Sequence, residues 1–78
     1  MLELTEFLIK SIVRNEDAVV VKQFDDEDMV TISVLVDKDD MGRVIGKAGR
    51  TIKSIRTVVN ASSYLNHGNK VKIEVDSF

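Results

Sequence analysis

The sequence predicts an α+β domain of element order α-β-β-α-α-β, with a three-stranded mixed sheet covered on one face by three helices. Three observations carry that expectation. Apolar residues recur every three or four positions in 2–13 and 50–65, the period of an amphipathic helix. They alternate every second position in 29–36 and 70–75, the period of a half-buried strand. A glycine-marked bend, Gly46-Lys47-Ala48-Gly49, interrupts a helical connection between the second and third strands. A helical crossover of that kind makes the strands it joins parallel neighbours.

The elements follow in order. Leu4, Phe7, Leu8, Ile12 and Val13 form the stripe of a first helix over 2–13, with Glu3 and Glu6 near its start and Lys10 and Arg14 near its end, as the helix dipole favours. Asn15-Glu16-Asp17 reads as a turn and the valine-rich 18–24 as a strand. Asp25-Asp26-Glu27-Asp28 lacks the alternate ligands and central glycine of an EF-hand loop, so it reads as a hairpin turn. In the second strand, 29–36, Val30, Ile32, Val34 and Val36 share one face. Asp37 is expected to cap a short helix over 38–45, with Asp40 in the capping-box place. Gly46 stops it. The longest helix is expected over 50–65, with Ile52, Ile55 and Val59 inward and Lys53 and Arg56 on another side with Arg50. Asn66-His67-Gly68-Asn69 is a loop; its lone histidine has no second ligand or nucleophile to serve and reads as exposed. Lys70 to Val75 forms the last strand and 76–78 a tail.

At 78 residues, 44% hydrophobic and 31% charged, the chain is expected to be one small domain over 1–78. It has no cysteine, hence no disulfide, thiolate metal site or cysteine nucleophile. No apolar run approaches the ~20 residues of a membrane span and no signal-peptide pattern opens the chain, so a soluble cytoplasmic protein with no membrane partner is expected. The net charge of −2 conceals a strong polarity. Residues 1–40 hold eleven acids against four bases, whereas 41–73 hold no acid and seven bases: Arg43, Lys47, Arg50, Lys53, Arg56, Lys70 and Lys72. Local field, rather than the sum, governs what such a surface attracts.

The stretch Gly42-Arg43-Val44-Ile45-Gly46-Lys47-Ala48-Gly49-Arg50 carries the functional signal. Two glycines three apart let the backbone bend sharply and bring its N–H groups close to a large anion. The helix that follows adds the positive end of its dipole. A phosphate fits, and in single-stranded nucleic acid the G-x-x-G turn clamps about four nucleotides of backbone. Lys47 would add charge at the tip, with Arg43 and Arg50 flanking it and Lys53 and Arg56 beyond. Val44 and Ile45 are expected to supply an apolar floor beneath the bases. The last strand and the 64–69 segment would form the far wall. The competing glycine motifs fail: a Walker A loop needs one more residue and a magnesium-binding hydroxyl after the lysine, and a dinucleotide fingerprint needs glycine where Val44 stands. No carboxylate pair, triad or metal cluster can be assembled, so no enzyme, cofactor or metal is expected. With four aromatics in all, a stacking platform is not expected either. An interaction adaptor, dimerising or docking on another protein with RNA contact secondary, is the alternative reading.

The segment from Asp40 to Val59 closely resembles the small stand-alone bacterial KH proteins of the KhpA family, and the resemblance extends over essentially the whole chain. It implies the type II KH fold, in agreement with the element order above. It implies RNA binding with limited sequence preference and an RNA-chaperone or post-transcriptional role. It also implies homodimers, and association with a larger KH-containing protein, KhpB (also called Jag or EloR), in a pair linked to cell elongation, division and peptidoglycan homeostasis. The family's G-x-x-G falls on Gly46, Lys47, Ala48 and Gly49.

Overall fold

The computed structural model describes residues 2–66 and 70–78; of 64–66 it describes the backbone alone. Helix α1 spans Leu2–Lys10, three residues short of expectation. The helical pattern breaks where the Ser11 hydroxyl donates to Leu8 O at 2.6 Å, drawing off a carbonyl that the next turn would use. Its buried residues are Thr5 and Ile9. Phe7, expected on the inner stripe, is 68% exposed, because it lies two residues from each of them on the opposite side of the helix.

A 3₁₀ turn over Glu16–Ala18 delays β1, which runs Val20–Asp25. The Asp26 N–H donates to Met29 O at 2.8 Å, closing the acidic hairpin. Strand β2 spans Met29–Val36, as its alternation predicts, and Ile32, Val34 and Val36 are fully buried. It pairs antiparallel with β1, Val21 opposite Val34 and Gln23 opposite Ile32. A 3₁₀ turn over Lys38–Asp40 replaces the first turn of the expected helix, and α2 proper is Met41–Ile45. Helix α3 spans Arg50–Asn66 and β3 spans Lys70–Ser77.

Strand β3 includes Asp76 and Ser77, expected as tail. They pair with Leu35 and Val36 of β2, so β3 continues for as long as β2 offers a partner. The β2–β3 pair is parallel, in the strand order β1-β2-β3. One core holds the fold together: Ile9, Val44, Ile52, Ile55 and Val59 from the three helices meet Ile32, Val34, Val36, Val71 and Ile73 from the sheet. All three helices therefore lie on one face. This is the type II KH architecture that the resemblance implies. The other face is free of helices and displays, among others, Phe24, Met29, Lys70 and Lys72. Among the described residues no helix is long and apolar enough to cross a membrane.

Candidate nucleic-acid interface

Two aspartates set the approach to the glycine bend. The Asp37 carboxylate accepts from the Asp39 N–H at 3.0 Å and from Asn15 Nδ2 at 3.1 Å. These donors, the Asp39 amide first, hold its pKa below the usual carboxylate value. Asp37 thus caps the turn, as expected. Asp40 does not complete a capping box. Its side chain is buried and accepts from the Arg14 and Asn15 N–H groups at 3.0 Å each, which pins the end of the α1 segment to the start of α2. Its Oδ1 also lies 3.5 Å from Arg43 Nε. The guanidinium is held through its inner nitrogen, leaving the two terminal ones for solvent or a ligand.

The bend itself explains its glycines. The Gly46 N–H donates to Gly42 O at 2.9 Å, ending α2. Gly46 then takes φ 75°, a region open to glycine at little cost. A Cβ there would collide with the Thr51 side chain and sit 2.9 Å from its backbone nitrogen. Gly49, at φ 74°, needs its freedom for conformation alone, since nothing lies within 4 Å of its Cβ position. Between them Ala48 adopts a left-handed φ of 56°, unusual for a residue with a side chain. The chain turns through a 3₁₀ step over Lys47–Gly49 into α3.

Two amides are engaged inside the bend: Gly49 N–H donates to Gly46 O, and Arg50 N–H to Lys47 O. Among the described residues, the Lys47 and Ala48 N–H groups meet no backbone acceptor. Both residues are exposed. The tip therefore offers two adjacent unpaired donors and an ammonium side chain, followed at once by the N-terminus of a 17-residue helix. That is the chemistry of an anion cradle.

Around it, Gly42, Arg43, Arg50, Lys53 and Arg56 are exposed, while Gly46, Gly49 and Ile45 are half-buried. Among the described residues Lys47, Arg50 and Lys53 form no ion pair. Val44 is fully buried and cannot touch a base. In a five-residue helix with Gly42 and Arg43 outward, Val44 turns to the core, and of the two expected floor residues only Ile45 reaches the surface.

Arg56 is more than a surface cation. Its Nη2 donates to Ile73 O at 3.2 Å, joining α3 to the outer edge of β3. Asn60, one turn on, accepts from the Val71 N–H at 2.9 Å and donates to Arg56 O at 2.9 Å. No sequence signal singled out Asn60; its four-residue spacing from Arg56 is the only hint. Thr51, which makes Gly46 obligatory, was equally silent. Strand β3, expected to form part of the far wall, lies beside α3 through the Arg56 and Asn60 links. The remainder of that wall, 67–69 with His67, and the side chains of 64–66 lie outside the described residues.

The family model for the KhpA/KhpB KH domain matches residues 3–75. The chain is 43% identical over 61 residues to RNA-binding protein KhpA of Thermotoga maritima, covering 78% of this chain and 81% of the relative. It is 40% identical to RNA-binding protein KhpA of Clostridium perfringens over 96% of this chain and 99% of that one. The corresponding protein of Listeria monocytogenes is 39% identical, with 96% and 97% covered. Among solved structures, Aquifex aeolicus Era bound to GDP and aluminium fluoride superimposes with a TM-score of 0.70 at 22% identity, over 97% of this chain and 29% of that one. Era bound to MgGDPNP and nucleotides 1506–1542 of 16S ribosomal RNA gives 0.69, again at 22% identity over 97% and 29%. These last two show likeness of fold.

Proposed function

The chain belongs to the KhpA/KhpB KH-domain family, and from that membership we propose that it is an RNA-binding protein gripping a single strand through Gly46-Lys47-Ala48-Gly49. The observation that carries this reading is the pair of unpaired amides at Lys47 and Ala48, exposed at a cationic tip. The two N–H groups and the Lys47 ammonium hold consecutive phosphate oxygens. Arg43, Arg50, Lys53 and Arg56 supply the surrounding positive field, and Gly42 and Ile45 form the floor on which bases lie. The relatives bear the name RNA-binding protein, which supports the ligand class. A single domain of this size clamps about four nucleotides, so binding is weak and falls steeply with salt. The domain acts as a binding module rather than a catalyst.

The wider role follows the same resemblance: an RNA chaperone or post-transcriptional regulator in the cytoplasm, dimeric, working with a KhpB/Jag-type partner in cell elongation, division and peptidoglycan homeostasis. The alternative, an adaptor whose protein contacts come first, draws on Val58, an apolar side chain 47% exposed along α3. Salt separates the two: binding that hardly changes between low and moderate salt favours the adaptor, since each phosphate neutralised by a gripping module adds to the salt slope.

The RNA reading is tested by the double variant Lys47→Asp, Ala48→Asp. Aspartate tolerates the left-handed conformation at 48 better than most residues, so the circular dichroism spectrum should be retained. Fluorescence polarisation with single-stranded RNA should show binding abolished, because two carboxylates would face the phosphates. A folded double variant with unchanged affinity defeats the proposal.

A further inference from the structure

Asp40 is a buried carboxylate beside a surface suited to anions. Its side chain is 3% exposed, and a negative charge there opposes any phosphate that approaches the bend. It stands immediately before α2, where an aspartate ordinarily accepts from the first amides of its own helix. It makes no such cap bond. Its oxygens are spent elsewhere. Oδ1 accepts from the Arg14 N–H and Oδ2 from the Asn15 N–H, at 3.0 Å each, and Oδ1 also lies 3.5 Å from Arg43 Nε.

The two amides account for the burial of Asp40, but not for its contact with Arg43. Among the described residues, Lys47, Arg50 and Lys53 form no ion pair, and Arg56 is tied to a backbone carbonyl. Of the cations round the bend, Arg43 is the one that these residues pair with a carboxylate. Exposed ion pairs usually contribute little, because two mobile side chains must be ordered together. Here backbone donors already fix the carboxylate, so the pair has only Arg43 to order. The Arg43 side chain nevertheless stays 45% exposed, and the contact at Nε leaves its terminal nitrogens for a ligand, in the planar fork that suits two phosphate oxygens. Resting on the reading of the bend as an RNA grip, we propose that Asp40 is a positioning residue for that grip: it holds Arg43 in place before RNA arrives. The cost of ordering a rotamer-rich side chain is then met on folding rather than on binding. Arg43 contributes geometry as well as charge, so lysine cannot replace it.

The test uses wild type, Asp40→Asn, Arg43→Lys and the double variant, with circular dichroism for folding. Fluorescence polarisation reads the binding of a single-stranded RNA of about four nucleotides. Arg43→Lys should bind several-fold more weakly with an unchanged log–log salt slope, because the charge remains. Asp40→Asn should weaken binding by a similar factor when Arg43 is present and add nothing to Arg43→Lys. Equal losses in both backgrounds overturn the proposal, by making Asp40 a structural tie alone. Tighter binding by Asp40→Asn overturns it too, since the carboxylate would then act only through its charge. Arg43→Lys that binds like wild type does the same. Should Asp40→Asn fail to fold, wild type decides without RNA. Nitrogen relaxation at the arginine Nε–H groups should show Arg43 more ordered than Arg50, and equal mobility overturns the positioning. If Lys47→Asp, Ala48→Asp binds RNA like wild type, the loop reading fails instead.

Discussion

At the scale of single residues, two glycines four apart make opposite demands. Gly46 is required by the protein itself: its φ is positive and a Cβ would overlap Thr51. Gly46→Ala should destabilise the domain by about 3 kcal/mol, the sum of a left-handed L-residue and local overpacking. In a domain of this size that lowers the melting temperature by more than about 10 °C, as thermal circular dichroism would record. Gly42 has no such excuse. Its φ is not positive, nothing lies within 4 Å of a Cβ built there, and it sits exposed inside α2. Gly42→Ala should raise stability by about 0.5–1 kcal/mol through helix propensity. The reason for glycine must then lie in what approaches it. The same substitution should weaken RNA binding several-fold, since a methyl group would hold the strand off the helix. An alanine variant that is more stable and binds as well as wild type would remove Gly42 from the interface.

At the scale of elements, what could be read in advance depended on how much of the signal was periodic. Strand β2 and helix α3 were legible almost to the residue, because alternation and a three-to-four spacing run unbroken through them. Ends were less legible where short-range hydrogen bonds compete with the regular pattern. The Ser11 hydroxyl ends α1 early, and Asp37 winds Lys38–Asp40 into a 3₁₀ turn. The bend was legible as a motif, but contacts across the fold were not: burial of Val44, the Arg56 and Asn60 links to β3, and the Asp40 latch all depend on partners distant in sequence. The Asp37 cap carries a pH signature. Its pKa is depressed in the folded state, so its stabilising contribution is present above the unfolded carboxylate value and is lost as pH falls through the folded one. Wild type should melt above Asp37→Ala at neutral pH. The two melting temperatures should converge below about pH 4. A constant gap down to acid pH would mean that the charge on Asp37 contributes nothing to the turn.

At the scale of the molecule, the fold turns a charge asymmetry along the chain into one in space. The acid-free stretch forms the bend, α3 and the start of β3, and the antiparallel β1–β2 pair carries the acidic hairpin to the end of the sheet where β3 begins, since Met29 pairs with Lys70. A basic track thus runs from the loop and stops against an acidic boundary. If the loop grips RNA as proposed, such a boundary would limit the length of strand one copy holds. Glu27 and Asp28 contribute no side-chain hydrogen bond or ion pair among the described residues, so Glu27→Gln, Asp28→Asn should leave the fold unchanged. A charge about 10 Å from a phosphate in water is worth about 0.4 kcal/mol, so removing two should tighten binding of a single-stranded RNA of about eight nucleotides, twice the span of the loop groove, by about two- to fourfold at low salt. The gain should vanish at about 1 M salt, where the screening length shrinks to about 3 Å. An RNA of about four nucleotides, which the loop groove alone would hold, should show much less of it. Equal tightening of both lengths would mean that the hairpin acts only through net charge, and no change at any salt would mean that RNA never comes near that end of the sheet.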